Sequence, residues 1–313
     1  MATAKLPQNL IGAIRYFADI DICTEFVASL RWPNGWACHE CGGVEFSYLT
    51  SRRLWKCKAC KKQTSVKVGT IFEDSALGLD KWLPSVWLIA NSKNGISSHE
   101  LGRALGVTQK SAWFMLHRIR LAMQTGSFDK FDGIVEVDET FIGGKARNMH
   151  KSDRARKITG TGGKDKTIVA GVLNRGDDGE VSKVRAGVVS ERTAPVLQSE
   201  VRESVAKGAT VYTDALGAYT GLGGDFEHET VDHAECYVRG QVHTNGIENF
   251  WSLLKRGLHG TYISVEPFHL FRYLDERVFT YNERNLTDLG RFTAVLGMVG
   301  GRRLTWQQLT GGA

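Results

Sequence analysis

The sequence contains no apolar run near the ~20 residues that a bilayer-crossing helix requires. Its first residues, MATAKLPQNL, lack the charged-then-apolar layout of a secretion signal, so a cytoplasmic, nucleoid-associated protein is expected. It has no internal repeat and no low-complexity tract, which excludes solenoid and tail-like architectures. GTGGKDKT at 160–167 lacks the Lys-Ser/Thr order and spacing of a nucleotide-binding loop, so nucleotide hydrolysis is excluded. What remains is a chain of 313 residues, 42% hydrophobic and 24% charged, enough for two or three domains with a substantial core. Its net charge of +6 favours polyanionic partners.

Four of the six cysteines form two CxxC pairs, Cys38/Cys41 and Cys57/Cys60, fifteen residues apart. Two thiolates flanking two residues can chelate one ion on a tight turn, and a second such turn completes a tetrahedron. Gly42 and Gly43 follow the first pair and suit a knuckle that needs positive φ. Trp36, Phe46 and Trp55 are available to pack over the site. All-thiolate tetrahedral sites select zinc, or iron as a weaker alternative, and four protein ligands leave no open position, so a structural Zn²⁺ is expected. Cys23 and Cys236 stand alone and read as plain core or surface thiols.

Residues 71–125 are helical in pattern, with Asp80 placed to cap the apolar run from Trp82 to Ile89. Within them, Ser97 or Ser98 can start one helix whose buried side is Leu101, Ala104 and Leu105. Gly106 makes a turn, and Thr108 caps a second helix with Ala112, Met115, Leu116 and Ile119 on its apolar face. In a DNA-reading helix-turn-helix, Gln109, Lys110, Ser111 and Trp113 project where base edges are read, and Arg118 and Arg120 meet phosphates. An ordinary helical hairpin carries the same pattern.

From Gly133 the texture turns β-rich, with strands expected at 134–141, 167–173, 181–189 and 210–213, and a helix between 194 and 206. A mixed α/β sheet of the RNase H kind fits this order. Between the first two strands runs a basic, Gly-rich loop whose Lys145, Arg147, Lys151, Arg154, Arg156 and Lys157 can track a DNA backbone.

Three acids stand out. Asp138 lies in the first strand and is preferred to Glu136 because it sits nearer the strand's end; Asp214 ends VYTD; Glu248 lies on a helix read from His243 to Tyr262. Carboxylates at strand ends converge where a sheet opens. Three hard oxygen donors from separate segments point to Mg²⁺ (or Mn²⁺) and phosphodiester chemistry. Lys255 lies seven residues past Glu248 on the same helix face, roughly 10 Å along the axis, placed to meet the phosphate, with Arg256 beside it. His243 and His259 read equally as phosphate contacts or as helix-end packing. A rival reading, a non-catalytic zinc-containing DNA-binding regulator, explains residues 36–125 and leaves the acids without a role.

The cysteine quartet, VDETFIGGKARNMHK (137–151), VYTDALGAY (211–219), HTNGIENFWSLLKRGLHGTY (243–262) and HLFRYLDERVFTYNER (269–284) together resemble the DDE transposases of bacterial insertion sequences, in the zinc-ribbon group related to Merlin elements. The resemblance spans nearly the whole chain. It implies an RNase H-like catalytic core, Mg²⁺ dependence, Asp138, Asp214 and Glu248 as the triad, and Lys255 as the trailing cation. It also implies action on double-stranded DNA, namely terminal inverted repeats and target, by two or more subunits. The pattern departs at Ile263, where histidine is expected. The expected organisation is a helical lead-in (1–35), zinc ribbon (36–70), helix-turn-helix-like region (71–128), RNase H-like catalytic domain (129–285) and C-terminal tail (286–313).

Overall fold

A computed structural model describes residues 6–124, 129–144, 150–157, 166–176, 179–231 and 241–311; the side chains of 153, 156 and 157 also lie outside the described set. The chain divides into two compact units, residues 1–124 with 286–313, and residues 125–285.

In the first unit, α1 (Leu10–Tyr16) and α2 (Ile20–Arg31) begin at Asn9 and Asp19, whose side chains accept backbone N–H groups of the first turn. A three-stranded ribbon follows, β1 (Phe46–Leu49), β2 (Leu54–Cys57) and β3 (Gln63–Thr64), all antiparallel. The C-terminal end of α2 is tied to it: Arg31 donates to the Val66 carbonyl at 2.7 Å, and Trp32 meets Trp55 edge-on at 5.0 Å. α3 (Leu79–Asn91) is capped by Gly78, not Asp80, which falls inside the first turn where its charge faces the positive end of the helix dipole.

α4 (Ser98–Leu105) and α5 (Gln109–Met123) are joined through Gly106, whose φ of +66° is the left-handed stop that glycine permits. Ser97 and Thr108 cap them as the spacing predicts. Leu101 and Gly102 are buried, but Ala104 is exposed, so the packed stripe of α4 is narrower than expected. Residues 286–311 do not form a tail. After the helices of the second unit, α10 (Asp288–Gly297) places Phe292 against Phe17, Phe26 and Trp87, the aromatic centre of this core. α11 (Trp306–Thr310) sets Trp306 against Trp113 and Phe114 of α5. A strand or helix with an apolar stripe must cover it, and this segment covers one.

The second unit is a five-stranded sheet in the order β6-β5-β4-β7-β8: β4 (Ile134–Ile142), β5 (Thr167–Asn174), β6 (Lys183–Val189), β7 (Thr210–Asp214) and β8 (Glu227–Val231). β4, β5 and β6 pair antiparallel, while β4–β7 and β7–β8 pair parallel. A short helix, α6 (Lys151–Lys157), occupies part of the segment expected to be a loop. α7 (Ala194–Ser204) packs on one face, where Val135, Val137, Ala170, Val172, Leu197 and Val201 form the core. α8 (Asn245–Gly257) and α9 (Leu270–Asn282) cover the other, over Val169, Leu173 and Val184. Alternation along β4 thus sends odd positions towards α7 and even positions, Glu136 and Asp138 among them, towards α8. No helix among the described residues is long and apolar enough to cross a membrane.

Candidate metal centres

The four ribbon thiols come from two matching knuckles. In the first, the Gly42 N–H donates to the Cys38 carbonyl (2.8 Å) and the Cys38 N–H to that of Gly43 (2.9 Å). In the second, the Lys61 N–H donates to Cys57 (3.1 Å) and the Cys57 N–H to Lys62 (2.9 Å), with Lys61 at φ +64° where the first knuckle uses a glycine. Sγ–Sγ distances are 3.6 Å for Cys38–Cys60 and for Cys41–Cys57. A tetrahedron with Zn–S bonds of about 2.3 Å has edges of about 3.8 Å, so the donor set fits zinc. Backbone N–H groups, that of Cys60 foremost, pull the Cys57 thiol down to about 7. Although the Lys62 N–H favours its thiolate, crowding by Cys41, Cys38 and Cys57 pushes Cys60 up to about 12. Four sulfurs this close cannot all ionise without a cation among them. Among the described residues they are the only group of three or more metal-capable side chains whose donor atoms all lie within 4.8 Å. Trp36 and Phe46 meet at 5.3 Å, and Tyr48 and Trp55 at 4.8 Å, packing the ribbon as the sequence predicts. Cys23 is a core thiol pushed up to about 12, chiefly by burial. Cys236 lies outside the described residues.

The carboxylates are arranged more openly. β4 and β7 pair in register up to Glu136 opposite Tyr212; two residues further along the two strands stand Asp138 and Asp214. Pairing between the strands stops there, so the two acids flank the fork where the sheet opens. Residues opposite each other in a sheet share a face, and neighbouring strands lie about 4.8 Å apart. Burial first, then the charges of Glu139 and Asp214, push Asp138 up to about 7. Trp251 of α8 donates its indole N–H to Asp138 Oδ2 at 2.9 Å. Glu248 lies three residues before Trp251 on α8, one turn back on the same face, exposed, with Thr244 Oγ1 donating to it at 3.2 Å. Gly171 lies opposite Asp138 on β5 and must be glycine: a Cβ there would stand 2.5 Å from the Trp251 ring. Close approach of α8 to the sheet is therefore built in at the level of the acids.

Glu136, the alternative ligand, is already spent. Its Oε1 accepts from Arg175 Nε at 2.7 Å and its Oε2 from the Ile247 N–H at 2.9 Å. On the opposite face, Glu139 accepts from the Tyr219 hydroxyl at 2.8 Å and pairs with Arg192, tying the loop after Asp214 back to β4. Sequence reasoning assigned no role to Glu139, Tyr219 or Arg175; of these, Glu139 and Tyr219 lay inside quoted motifs and Arg175 in none. His243, just before α8, has its Nδ1 2.7 Å from Arg175 Nη2. His259 is exposed on a π-helical turn (Leu258–Tyr262) that prolongs α8.

The expected DNA contacts divide. Gln109 and Lys110 are exposed at the start of α5, with the Lys110 ammonium 4.6 Å from the Trp306 ring centroid; Ser111 is half-buried and bonds Thr108 at 2.9 Å. Arg118 is a correction: it is buried, donating to the Leu304 carbonyl at 2.9 Å with its guanidinium on the Phe114 ring, and Arg120 is buried too. Both stand on the packed stripe of α5, which the returning C-terminal segment helps to cover. Lys151, Arg154 and Arg256 are exposed and Lys255 half-buried. Lys145 and Arg147 lie outside the described residues, as do the side chains of Arg156 and Lys157.

A four-thiol ribbon, a helical unit and a mixed sheet define a multidomain zinc-ribbon α/β protein. The family described as transposase zinc-ribbon domain matches residues 21–63, and that described as ISXO2-like transposase domain matches 130–282. A protein of the transposable element ISH50 from Halobacterium salinarum is 30% identical over 257 residues, covering 78% of this chain and 85% of that one. The chain belongs to the ISXO2-like family of insertion-sequence transposases. The ribbon match begins at 21 rather than at the expected 36, in keeping with the contacts of α2.

Proposed function

We propose that this chain cleaves DNA at the ends of its insertion sequence and joins the freed 3′-hydroxyl to target DNA by in-line displacement at phosphorus. Its catalytic core is the 125–285 unit, and the fold is RNase H-like, a reading supported by the strand order and by the switch from antiparallel to parallel pairing at β4. The observation that carries the proposal is the bond from Trp251 to Asp138, which brings the Glu248 helix against the strand fork of Asp138 and Asp214. The three carboxylates form no tight cluster, and the charge of Asp214 opposes that of Asp138, which suits a site that takes up divalent charge. Asp138, Asp214 and Glu248 would hold Mg²⁺ or Mn²⁺, and the bound ions would lower the pKa of the attacking water or hydroxyl and neutralise the leaving oxygen.

The chain's own residues do the positioning. Trp251 holds Asp138 Oδ2 in place, and Asp138 would be one of the groups that hold the cation. Lys255, two turns beyond Glu248, presents its ammonium to the scissile strand. Lys151, Arg154 and Arg256 neutralise backbone phosphates. α4 and α5 act as a helix-turn-helix, with Gln109, Lys110 and Ser111 at the DNA-reading end. Two element ends must be held together, so the working form is a homodimer or larger assembly on double-stranded DNA.

The test is incubation of labelled element ends with Mg²⁺, scoring 3′-hydroxyl release and joining. Both products are expected, and nicking without joining would leave only a nuclease. Because Asp138 carries a proton below about 7, cation and proton compete for it. At sub-saturating Mg²⁺ the rate therefore climbs as pH rises from about 6 to 8 and then levels, and saturating Mg²⁺ moves the rise to lower pH.

A further inference from the structure

Arg175 stands where the elements bearing all three acids meet. Its guanidinium lies 5.0 Å from the ring centroid of Tyr212, two residues before Asp214. Its Nε donates at 2.7 Å to Glu136, two residues before Asp138. Its Nη atoms donate to the carbonyls of Gln241 (2.9 Å) and His243 (2.8 Å), in the segment that leads into α8 and Glu248. The Glu136 side chain, only 2% exposed, has its other oxygen on the N–H of Ile247, the residue before Glu248. A buried carboxylate is tolerated only when both oxygens are satisfied. Here one oxygen is satisfied by the exit of β5 and the other by the first turn of α8, whose dipole also favours the charge. Gly246 completes the seat: a Cβ would stand 2.9 Å from Glu136 Oε2, so any other residue lifts the helix from its anchor.

We propose that Glu136, locked by Arg175, is a positioning residue that sets where α8 presents Glu248 relative to Asp138. The proposal rests on the triad reading above. Glu136 binds no cation itself; it acts through the Ile247 N–H. Groups that orient ligands are typically worth about 10- to 100-fold in metal affinity, and a displacement of about 1 Å can cost about 100-fold in rate.

The test is Mn²⁺ binding to the zinc-loaded full chain, measured by calorimetry well below each variant's Tm, for Glu136→Gln, Gly246→Ala and Glu248→Gln. Glu136→Gln and Gly246→Ala are expected to weaken Mn²⁺ binding by about tenfold or more. Gly246→Ala leaves the Glu136 and Arg175 side chains themselves unaltered and improves helix propensity, so it carries the test should Glu136→Gln fold poorly. If both lower Tm yet bind Mn²⁺ as the wild type does, while Glu248→Gln binds weakly, Glu136 is merely structural and the proposal falls. If Glu248→Gln itself binds like the wild type, the triad reading fails, and the proposal with it.

Discussion

Glu248→Ala abolishes cleavage and joining while leaving affinity for element-end DNA within about twofold of wild type. The side chain is exposed on the face of α8 that meets the strand fork, and nothing of the hydrophobic core depends on it. On the proposed reading its loss removes one of three oxygen donors, and effects on charge stabilisation of this kind run to about 10²–10³-fold or more per group. In the proposed function DNA affinity rests instead on cations spread over the surface and on the ribbon and helical unit, none of which the substitution touches. Gel-shift and strand-transfer assays on the same preparation separate the two. Loss of binding in parallel with loss of chemistry would mean that Glu248 is a DNA contact or a fold determinant. Strand transfer at the wild-type rate would remove it from the site altogether.

Zinc removal is expected to have the second large effect. The ribbon has three short strands and little core beyond its aromatic residues, Val66 and the ligands Cys38 and Cys57, so metal ligation is its main source of order. Structural zinc contributes about 10–16 kcal/mol to small modules of this type, more than a ribbon this size can replace. A strong chelator, or Cys57→Ser, therefore unfolds β1–β3. Fluorescence of Trp32, Trp36 and Trp55 should shift to the red, and one bound zinc per chain should be released. The 125–285 unit has its own core and should keep its thermal transition. A ribbon that keeps its native fluorescence and DNA affinity after zinc loss would show that packing alone holds it.

How much of this was legible in the sequence depended on whether the signal was local. The cysteine spacing encodes a local turn repeated once, and both knuckles form as read. Ser97, Gly106 and Thr108 likewise act on their immediate neighbours, and all three sit where their chemistry requires. β8 was not foreseen, because EHETV carries mostly exposed polar residues and owes its strand character to the neighbouring β7. Arg118 looked like a phosphate contact because charge on a helix usually marks its solvated face. Here a segment almost two hundred residues away returns to cover it, and no local pattern announces that. The same holds for residues 286–311, where Phe292 packs on Phe17, Phe26 and Trp87, and Trp306 on Trp113 and Phe114.

The acids show the same division at closer range. Strand alternation placed Glu136 and Asp138 on one face, and chain order alone could only rank them by nearness to the strand end. The tertiary contacts separate them physically: Glu136 has both oxygens bound, whereas Asp138 has Oδ2 held by Trp251 and its charge opposed by burial, then by Glu139 and Asp214. Arg175, which links the three acid-bearing elements, lies in no motif at all, because its role exists only once β5 and α8 have met.

The central claim is tested most directly by a crystal of the full chain soaked in Mn²⁺, with the anomalous signal recorded at the manganese edge. Manganese is expected at the fork of β4 and β7, held by Asp138, Asp214 and Glu248, with Glu136 remaining on Arg175. Manganese bound elsewhere, or a fork whose carboxylates stay apart with none between them at saturating Mn²⁺, would contradict it.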